Sequence, residues 1–570
     1  MKKRKGEFVD VGEKKQRIRE SSSQLMTINL MNHQKQAVAW MLEREFSTTK
    51  GGILADDQGL GKTLSAIALI VKAGPRSRGT GTNVKGGTLI VCPVSVIRQW
   101  EHEIRTKVAA SAPLSTLVYH DQGKRKVTLE KLASYDVVIT TYGVVAKERC
   151  LNVEVFDTGR VAWRERSGPL ANVKWHRVVL DEAQSIRNAY TDVSMSCMRL
   201  SATYRWGLSG TPFQNNIKDL YAFFCFLRVK PYCSDWRAFD QQYEEYEKTG
   251  YSAELKVALE SIVLRRSKKS IINGEPVLRL PPRLVNRVEV ELSQQERELY
   301  ENLRKEYQDR ISEYRSKGTL HMNRFIILSM LLRLRQMCDH PALLDSEHLF
   351  RVDEEDDLIT EDGSGLKEMR EAVRKLQLEA REKQEDFDRS VQEIGQSAKL
   401  KAALRVLDMT PRGEKSLIFS QWTSMLNLIE PELEGAGIQF SRIDGSMSAG
   451  KRVAAIKRFS EDPDVVVMLI SLRAGGCGLN LVAASRVLLM DMWWNPTTED
   501  QAIDRTHRIG QTRPVHVTRF VVKQTVEEHV LEIQEKKKKL VEFVFGEKSS
   551  EEQSFSIDEL ASMFELQNLA

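Results

Sequence analysis

Short, continuous apolar runs alternate with stretches of helical periodicity in two separate parts of the chain. In the first part these runs lie at residues 52–55, 88–92, 136–140, 177–180 and 205–208. In the second part they lie at residues 416–420, 439–444, 465–471 and 487–491. Such runs predict strands that are buried on both faces, and their alternation with helices predicts parallel sheets. The pattern therefore predicts an α/β protein with two lobes.

The segments around the two lobes differ in composition. Residues 1–22 carry two basic runs and are expected to be disordered, as a nuclear-import or DNA-backbone tail or as a solvated leader. The remaining expected boundaries are a first lobe at 23–225, helical protrusions at 226–345, a charged connector at 346–396, a second lobe at 397–545 and an acidic tail at 546–570.

Composition narrows the class of protein. The chain has 570 residues and a net charge of +6, which is too small for purely electrostatic binding of nucleic acid but allows local basic patches. Its seven cysteines form no C-x-x-C pair, so neither zinc nor a disulfide framework is expected. The apolar runs are shorter than the roughly 20 residues of a membrane helix. We therefore expect a soluble intracellular protein without membrane or zinc partners.

A Gly-rich loop at residues 55–63 joins the first apolar run to a helix. Gly59 and Gly61 lack a Cβ, so backbone amides could close on phosphate oxygens at the positive end of that helix. Lys62 would reach the β- and γ-phosphates of ATP, and the Thr63 hydroxyl would bind Mg²⁺. Because Asp56 replaces the first glycine of the common pattern, an ordinary Gly-rich turn is the alternative.

Two adjacent carboxylates, Asp181 and Glu182, directly follow the apolar run at 177–180. This is the edge of a parallel sheet at which open α/β proteins bind ligands. Asp181 would hold Mg²⁺ through its water shell, and Glu182 would orient and polarise the attacking water. The alternative is that the pair caps a helix.

Polar residues outside the loop extend the candidate site. Gln34 offers a donor and an acceptor that suit an adenine edge, although a glutamine on a helix surface is ordinary. Gln501, Arg505 and Arg508 are spaced i, i+4 and i+7, which predicts one helix face. The two arginines could stabilise charge on a γ-phosphate, which would require the lobes to close on ATP. The alternative is a charged surface helix.

Six sequence blocks, taken in order, resemble the SWI/SNF-type ATPases of helicase superfamily 2. The resemblance covers about residues 30–540 and rests on His33-Gln34, 56–63, 181–184, 208–215, 475–481 and 501–511. It implies two RecA-like lobes that use ATP and Mg²⁺. It also implies a nucleotide contact at Asp57 and coupling between nucleotide and DNA through Ser209, Thr211 and Gly475.

The resemblance further implies that one strand of double-stranded DNA runs along strand ends opposite the ATP face. Hydroxyls, arginines and helix N-termini suit phosphate contacts that do not depend on sequence. Each of these residues could instead be structural. The implied DNA contacts are Arg98, Thr140, Thr141, Trp422, Ser471 and Arg473.

Within this family, residues 33–41, 332–341 and 526–528 resemble the branch of helicase-like transcription factor, excision-repair ATPases and lodestar-type transcription termination factor. Many members carry a RING zinc domain between the lobes. Residues 346–396, where that domain would lie, contain no Cys and a single His. Ubiquitin-ligase activity is therefore not supported, and without a RING domain the chain is more similar to the lodestar type. Gln58 stands at a position where members of this family usually have Met, and Gln184 at one where His is common. An active enzyme is still expected.

The sequence therefore predicts a nuclear, ATP-driven translocase on double-stranded DNA that remodels or displaces bound protein. Nucleosomes, RNA polymerase and repair factors are the candidate partners. The alternatives are a strand-separating DNA or RNA helicase and a catalytically silent scaffold on chromatin. Intact Lys62, Asp181 and Glu182 argue against the scaffold.

Overall fold

The structure is a computed structural model that describes residues 25–74, 85–120, 127–155, 161–211, 219–249, 252–272, 274–344, 394–472 and 479–544. The described residues form two compact units. The first consists of residues 25–211 and 219–279, and the second begins at residue 280. The basic tail, almost all of the charged connector, and the acidic tail lie outside the described residues.

The first unit is built on a parallel sheet. Its strands are β1 (Gly51–Leu54), β2 (Lys85–Cys92), β3 (Thr116–Val118), β4 (Val137–Thr141), β7 (Lys174–Asp181), β8 (Ala202–Leu208) and β9 (Val263–Leu264). Among the described residues these seven strands pair in the order β3-β4-β2-β7-β8-β1-β9, and each pairing is parallel. Two antiparallel pairs stand apart from this sheet, β5 (Arg149–Val155) with β6 (Val161–Ser167) and β10 (Ile271–Ile272) with β11 (Glu275–Pro276).

The central part of this sheet is buried, as the apolar runs along its strands predict. Val178, Val179 and Leu180 of β7, for example, are fully buried. The helices are α1 (Asn32–Glu45), α2 (Lys62–Lys72), α3 (Ile97–Lys107), α4 (Leu129–Ser134), α5 (Tyr142–Lys147), α6 (Pro169–Asn172), α7 (Asp192–Arg199), α8 (Asp219–Leu227), α9 (Trp236–Thr249) and α10 (Ala253–Ile262). Because the strands are parallel, the residues that follow them gather at one edge of the sheet.

The second unit repeats this design. Its strands are β12 (Arg283–Val290), β13 (Ser416–Ser420), β14 (Gln439–Ile443), β15 (Val465–Ser471), β16 (Arg486–Leu489) and β17 (Val515–Val522). In the part of this unit that the structure describes, they pair in parallel in the order β12-β17-β16-β13-β15-β14. Its helices are α11 (Gln294–Ser316), α12 (Arg324–Asp339), α13 (Ala398–Asp408), α14 (Thr423–Gly435), α15 (Ala449–Glu461), α16 (Pro496–Ile503) and α17 (Val526–Val544).

The predicted fold class, two α/β lobes with parallel sheets, is confirmed. The stretch at 226–345 differs from the expected helical protrusions, because it also supplies β9 to the first sheet and β12 to the second. The boundary between the units falls inside it, after Arg279. Strand β12 has the sequence RLVNRVEV and lies at a sheet edge, largely exposed, so it lacks the apolar run that marks a central strand.

No helix in the described ranges is long and apolar enough to cross a membrane.

Candidate active site

The Gly-rich loop lies between β1 and α2, at the carboxyl edge of the first sheet. Gly59 and Gly61 both have positive φ angles, 88° and 82°, which other residues rarely adopt. A Cβ on Gly61 would lie 2.4 Å from the Gln34 side-chain nitrogen. The structure therefore requires glycine at position 61 for its backbone conformation and for the close approach of Gln34.

Lys62 begins α2 and directs its ammonium group back into the loop. Its Nζ donates to the carbonyl oxygen of Asp56 at 2.6 Å and to that of Asp57 at 3.3 Å. Removal from solvent lowers the pKa of Lys62, while the carboxylates of Glu182, Asp56, Asp181 and Asp57 act in the opposite direction. The Lys62 ammonium group therefore lies in the loop at the place where the sequence predicts that the phosphates of a nucleotide bind.

Gln34 and its neighbour His33 hold the loop from α1. The Gln34 amide donates to the Leu60 carbonyl at 3.2 Å, and its oxygen accepts from the Met31 backbone at 3.0 Å. The His33 ring Nε2 lies 2.8 Å from the same Leu60 oxygen. The structure thus gives Gln34 a role in shaping the loop, and its contact with adenine stays a prediction.

Arg266, which the sequence did not single out, clamps the loop from the segment after β9. Its guanidinium donates to both carboxylate oxygens of Asp56, through Nε at 2.9 Å and through Nη2, and to the His33 carbonyl at 2.6 Å. The backbone of Asp57 bonds Arg266, and its carboxylate accepts from the Lys268 amide at 3.0 Å. The Asp56 carboxylate thus secures the loop itself. The contact joins residues 210 positions apart, so no local pattern revealed it.

Asp181 ends β7, and Glu182 follows in a left-handed conformation with φ of 50°. One Asp181 oxygen accepts from the Glu182 amide at 3.0 Å, and the other accepts from the Trp100 indole at 2.7 Å. Burial raises the pKa of Asp181 to about 7, with the Glu182 charge adding to the rise and Trp100 and Lys62 opposing it. Neither the Asp181 nor the Glu182 side chain caps the short helix at 183–186, which counts against the capping alternative.

A chain of hydrogen bonds links Glu182 to the residues after β8. The Gln184 amide donates to Glu182 at 2.9 Å, and the Ser209 hydroxyl donates to the Gln184 oxygen at 2.7 Å. The Thr211 amide then donates to the Ser209 hydroxyl at 3.1 Å. Two of the three expected coupling residues thus connect to the carboxylate pair, whereas Gly475 lies outside the described residues.

Thr63 and Asp181 offer the oxygen ligands that Mg²⁺ prefers, one hydroxyl and one buried carboxylate. Thr63 lies in the first turn of α2, beside Lys62. In the described ranges no group of three or more His, Cys, Asp or Glu side chains could hold a metal ion. One hydroxyl and one carboxylate fit Mg²⁺, which usually keeps several waters and takes few protein ligands.

The three polar residues predicted on one face of a helix in the second unit do not share a helix. Gln501 lies in α16, which ends at Ile503, so Arg505 and Arg508 lie in the turns beyond it. The Arg505 carbonyl accepts from the Leu481 amide at 3.0 Å. The chain after Ile503 thus leaves the helix earlier than the sequence predicted, and the Arg505 carbonyl serves a tertiary contact.

Both arginines nevertheless belong to one turn region of the second unit. Arg505 is buried, and Arg508 donates through Nη1 to the Leu479 carbonyl at 3.1 Å. Leu479 and Leu481 belong to the block at 475–481, of which residues 475–478 lie outside the described part of the chain. The structure thus brings the last two sequence blocks of the second unit together.

The predicted DNA contacts of the first unit divide into one exposed residue and two buried ones. The Arg98 side chain is 70% exposed and pairs with Glu101 at 2.8 Å. Thr140 is fully buried and donates to the Tyr119 carbonyl at 2.8 Å. Thr141 is buried and caps α5 by accepting from the Val144 amide at 3.3 Å. Both threonine hydroxyls therefore bond within the lobe, and contact between DNA and the segment at 140–141 stays a prediction.

The predicted DNA contacts of the second unit are likewise engaged within the protein. The Trp422 indole donates to Asp339 at 2.9 Å, and its ring packs against the core. Ser471 is buried at the end of β15, where it pairs with Ser420 of β13. A phosphate contact by the Trp422 or Ser471 side chain is therefore not supported, and Arg473 lies outside the described residues.

A buried charge cluster ties three helices of the second unit together. Lys399 of α13 donates to Asp339 of α12 at 2.7 Å and to Glu527 of α17 at 2.6 Å, and all three side chains are almost fully buried. Burial raises the pKa of Asp339 to about 8, against the attraction of Lys399. Because Trp422 also bonds Asp339, this cluster fixes the segment that follows β13.

Lys399→Met is expected to lower the free energy of unfolding by about 3–5 kcal/mol, because it leaves two carboxylates buried without their cation. Lys401→Met is the matched control, since Lys401 is exposed on the same helix and should change stability by about 0.5 kcal/mol or less. Urea denaturation followed by circular dichroism measures both. Equal transition midpoints for the two variants would contradict a stabilising role for the cluster.

Two family models match successive parts of the chain. The SNF2-related domain matches residues 33–343, and the helicase conserved C-terminal domain matches residues 398–510. These matches cover the candidate nucleotide site in the first unit and the arginines in the second.

Two relatives from one plant are similar to this chain over most of its length. Helicase-like transcription factor CHR28 of Arabidopsis thaliana is 34% identical, over 95% of this chain and 77% of the relative. DNA repair protein RAD5B of the same plant is 33% identical, over 90% of this chain and 47% of the relative.

A solved structure, the Sulfolobus solfataricus SWI2/SNF2 ATPase core in complex with dsDNA, is 27% identical and covers 92% of this chain and 94% of its own. Its TM-score is 0.38. The family matches and the relatives confirm the resemblance seen in the sequence. The chain therefore belongs to the SNF2-related family of helicase-like ATPases, among relatives that include helicase-like transcription factors.

Proposed function

We propose that this chain is an ATP-driven translocase on double-stranded DNA that remodels or displaces bound protein. One observation carries the proposal: at the carboxyl edge of one sheet, Lys62 is close enough to feel the charges of Asp181 and Glu182, and hydrogen bonds run from Glu182 through Gln184 to Ser209. Such an arrangement can bind ATP and transmit the state of the bound nucleotide to neighbouring segments. The names of the relatives, a transcription factor and a DNA repair protein, support DNA as the track.

ATP would bind with its phosphates in the loop between β1 and α2. The backbone amides around Gly59 and Gly61 would donate to phosphate oxygens, and Lys62 would exchange its bonds to loop carbonyls for the β- and γ-phosphates. Asp57 would stay fastened to the Lys268 amide and keep the loop in shape. Gln34 would meet the adenine edge from α1.

Hydrolysis would depend on the carboxylate pair. Glu182 would orient a water molecule towards the γ-phosphorus and accept its proton as the bond to the ADP oxygen breaks, which yields ADP and phosphate. The Gln184 amide holds the Glu182 carboxylate in place for this task. Thr63 and Asp181 would hold Mg²⁺, which neutralises phosphate charge when bound.

The second unit would complete the reaction. Arg505 and Arg508 would approach the γ-phosphate when the two lobes close, with Gln501 near the nucleotide, and would stabilise the charge of the transition state. Closure with ATP and opening with ADP would move the lobes relative to the DNA. The Ser209-Thr211 segment and Gly475 would pass the state of the nucleotide to the DNA side.

Double-stranded DNA would lie along the segments that follow the strands. Arg98 is the exposed cation among the described candidates, and the segments around Thr141 and Trp422 would lie along the phosphate backbone. The displaced target would be a nucleosome, an RNA polymerase or a repair factor, and the site of action would be the nucleus.

ATPase rates with duplex DNA, single-stranded DNA, RNA and nucleosomes test the proposal. We expect the highest rate with duplex or nucleosomal DNA and displacement of the third strand from a triplex without unwinding of the duplex. Unwinding of a forked duplex would instead identify a strand-separating helicase. The absence of any nucleic-acid stimulation would identify a silent scaffold.

A further inference from the structure

Two aromatic side chains from different elements converge on the Asp181-Glu182 pair. Trp100 is 1% exposed and donates its indole N–H to the Asp181 carboxylate at 2.7 Å. Tyr142 is 8% exposed, and its hydroxyl lies 2.8 Å from the Asp181 carbonyl oxygen and 3.4 Å from that of Glu182. The carboxylate and the main chain of the pair are thus held from two separate directions.

Each aromatic residue belongs to a segment that also carries a candidate DNA contact. Trp100 lies on α3, two residues after the exposed Arg98, so the same helix presents a cation to solvent and an indole to Asp181. Tyr142 begins α5 directly after Thr141, which caps that helix. Strands β2 and β4, which lead into these two helices, pair with each other, and β2 also pairs with β7, which ends at Asp181.

This arrangement makes the carboxylate pair sensitive to small movements of either helix. A hydrogen bond weakens steeply when its length or angle departs from the optimum. Glu182 occupies a left-handed backbone conformation, which surrounding contacts must hold in place. Movement of α3 or α5 would therefore change the hydrogen bonds that hold Asp181 and the backbone of Glu182.

We propose that Trp100 and Tyr142 are positioning residues that link the segments at 94–98 and 140–142 to the ATP site, so that DNA bound at those segments sets the orientation of Asp181 and Glu182. This inference rests on the proposed function. It means that DNA stimulates ATP hydrolysis through the hydrogen bonds that Trp100 and Tyr142 donate.

Trp100→Phe and Tyr142→Phe test this inference, because each keeps an aromatic ring and removes one donor. The quantity to measure is the ratio of kcat with saturating duplex DNA to kcat without DNA. We expect this ratio to fall about tenfold in Trp100→Phe, which loses a hydrogen bond to a carboxylate. It should fall somewhat less in Tyr142→Phe, which loses a hydrogen bond to a neutral carbonyl group. The Kd for a labelled duplex, measured by fluorescence anisotropy, should stay within about twofold, since neither donor faces DNA.

Trp175→Phe is the matched control. Trp175 is also fully buried in the first unit, but its indole donates to the Leu170 carbonyl at 2.8 Å, away from the carboxylate pair. Its stimulation ratio should equal that of the unaltered protein. An unchanged ratio in Trp100→Phe, or an equal loss of kcat with and without DNA, would overturn the inference. Absence of stimulation in the unaltered protein would instead overturn the proposed function.

Discussion

Glu182→Gln is expected to reduce kcat for ATP by about 10³-fold at saturating duplex DNA, because an amide cannot accept the proton of the attacking water. The change keeps the shape of the side chain, and its oxygen can still accept from the Gln184 amide. Lys62 and the loop glycines are untouched, so the affinity for ATP should change little. Steady-state ATPase assays and titration with a fluorescent ATP analogue measure the two quantities.

Glu130→Gln is the matched control for this variant. Glu130 is exposed on α4, and the same change there should leave kcat and ATP affinity within about twofold of the unaltered protein. The Kd for duplex DNA should also be unchanged in Glu182→Gln, since we propose that Glu182 acts on the nucleotide. Undiminished turnover in Glu182→Gln would remove this residue from the role that we propose and would place the water-activating group elsewhere.

The parts of the fold that the sequence predicts well are those with local signals. Strand β7 is recognisable because Val178, Val179 and Leu180 form a continuous apolar run, and the structure buries all three. The phosphate loop is recognisable because its glycines and Lys62 lie within a few residues of each other. In both cases one short segment carries all the physical information that the prediction needs.

The parts that the sequence missed depend on contacts between distant segments. Arg266 lies 210 residues from Asp56, and its sequence context is only a basic run after a short strand. Lys399 reads as an ordinary lysine near the start of a helix, although it is buried between two acids. A charged side chain in a helix predicts exposure, and only the packed structure shows that a partner compensates its burial.

The same limit applies to hydroxyl partners and helix ends. Thr140 and Thr141 are DNA contacts that the resemblance implies, and only the structure shows that their hydroxyls bond Tyr119 and Val144 within the lobe. The spacing of Gln501, Arg505 and Arg508 predicts one helix, whereas α16 ends at Ile503. The Arg505 carbonyl accepts instead from the Leu481 amide, a contact between segments that local spacing does not reveal.

Arg508→Ala is expected to reduce kcat for ATP by about 10³- to 10⁵-fold, the range of an arginine that stabilises the transferring phosphoryl group. The affinity for ATP should remain, because the loop that we propose to bind ATP belongs to the first unit and Arg508 to the second. The Arg508 guanidinium donates to the Leu479 carbonyl, so the loss of one hydrogen bond within the turn accompanies the loss of charge. Single-turnover hydrolysis of bound ATP separates this effect from binding.

Two further variants make the result interpretable. Arg513→Ala removes an exposed arginine five residues away, whose guanidinium also donates to a backbone carbonyl, that of Gly413 at 2.9 Å, and should leave hydrolysis within about twofold. Arg508→Lys keeps the charge but loses the planar fork, so it should recover only part of the lost rate. If Arg508→Ala hydrolyses bound ATP normally, Arg508 does not stabilise the charge on the γ-phosphate. Arg505 would then be the remaining candidate for that role. If Arg508→Lys is fully active, charge without guanidinium geometry is sufficient at the γ-phosphate.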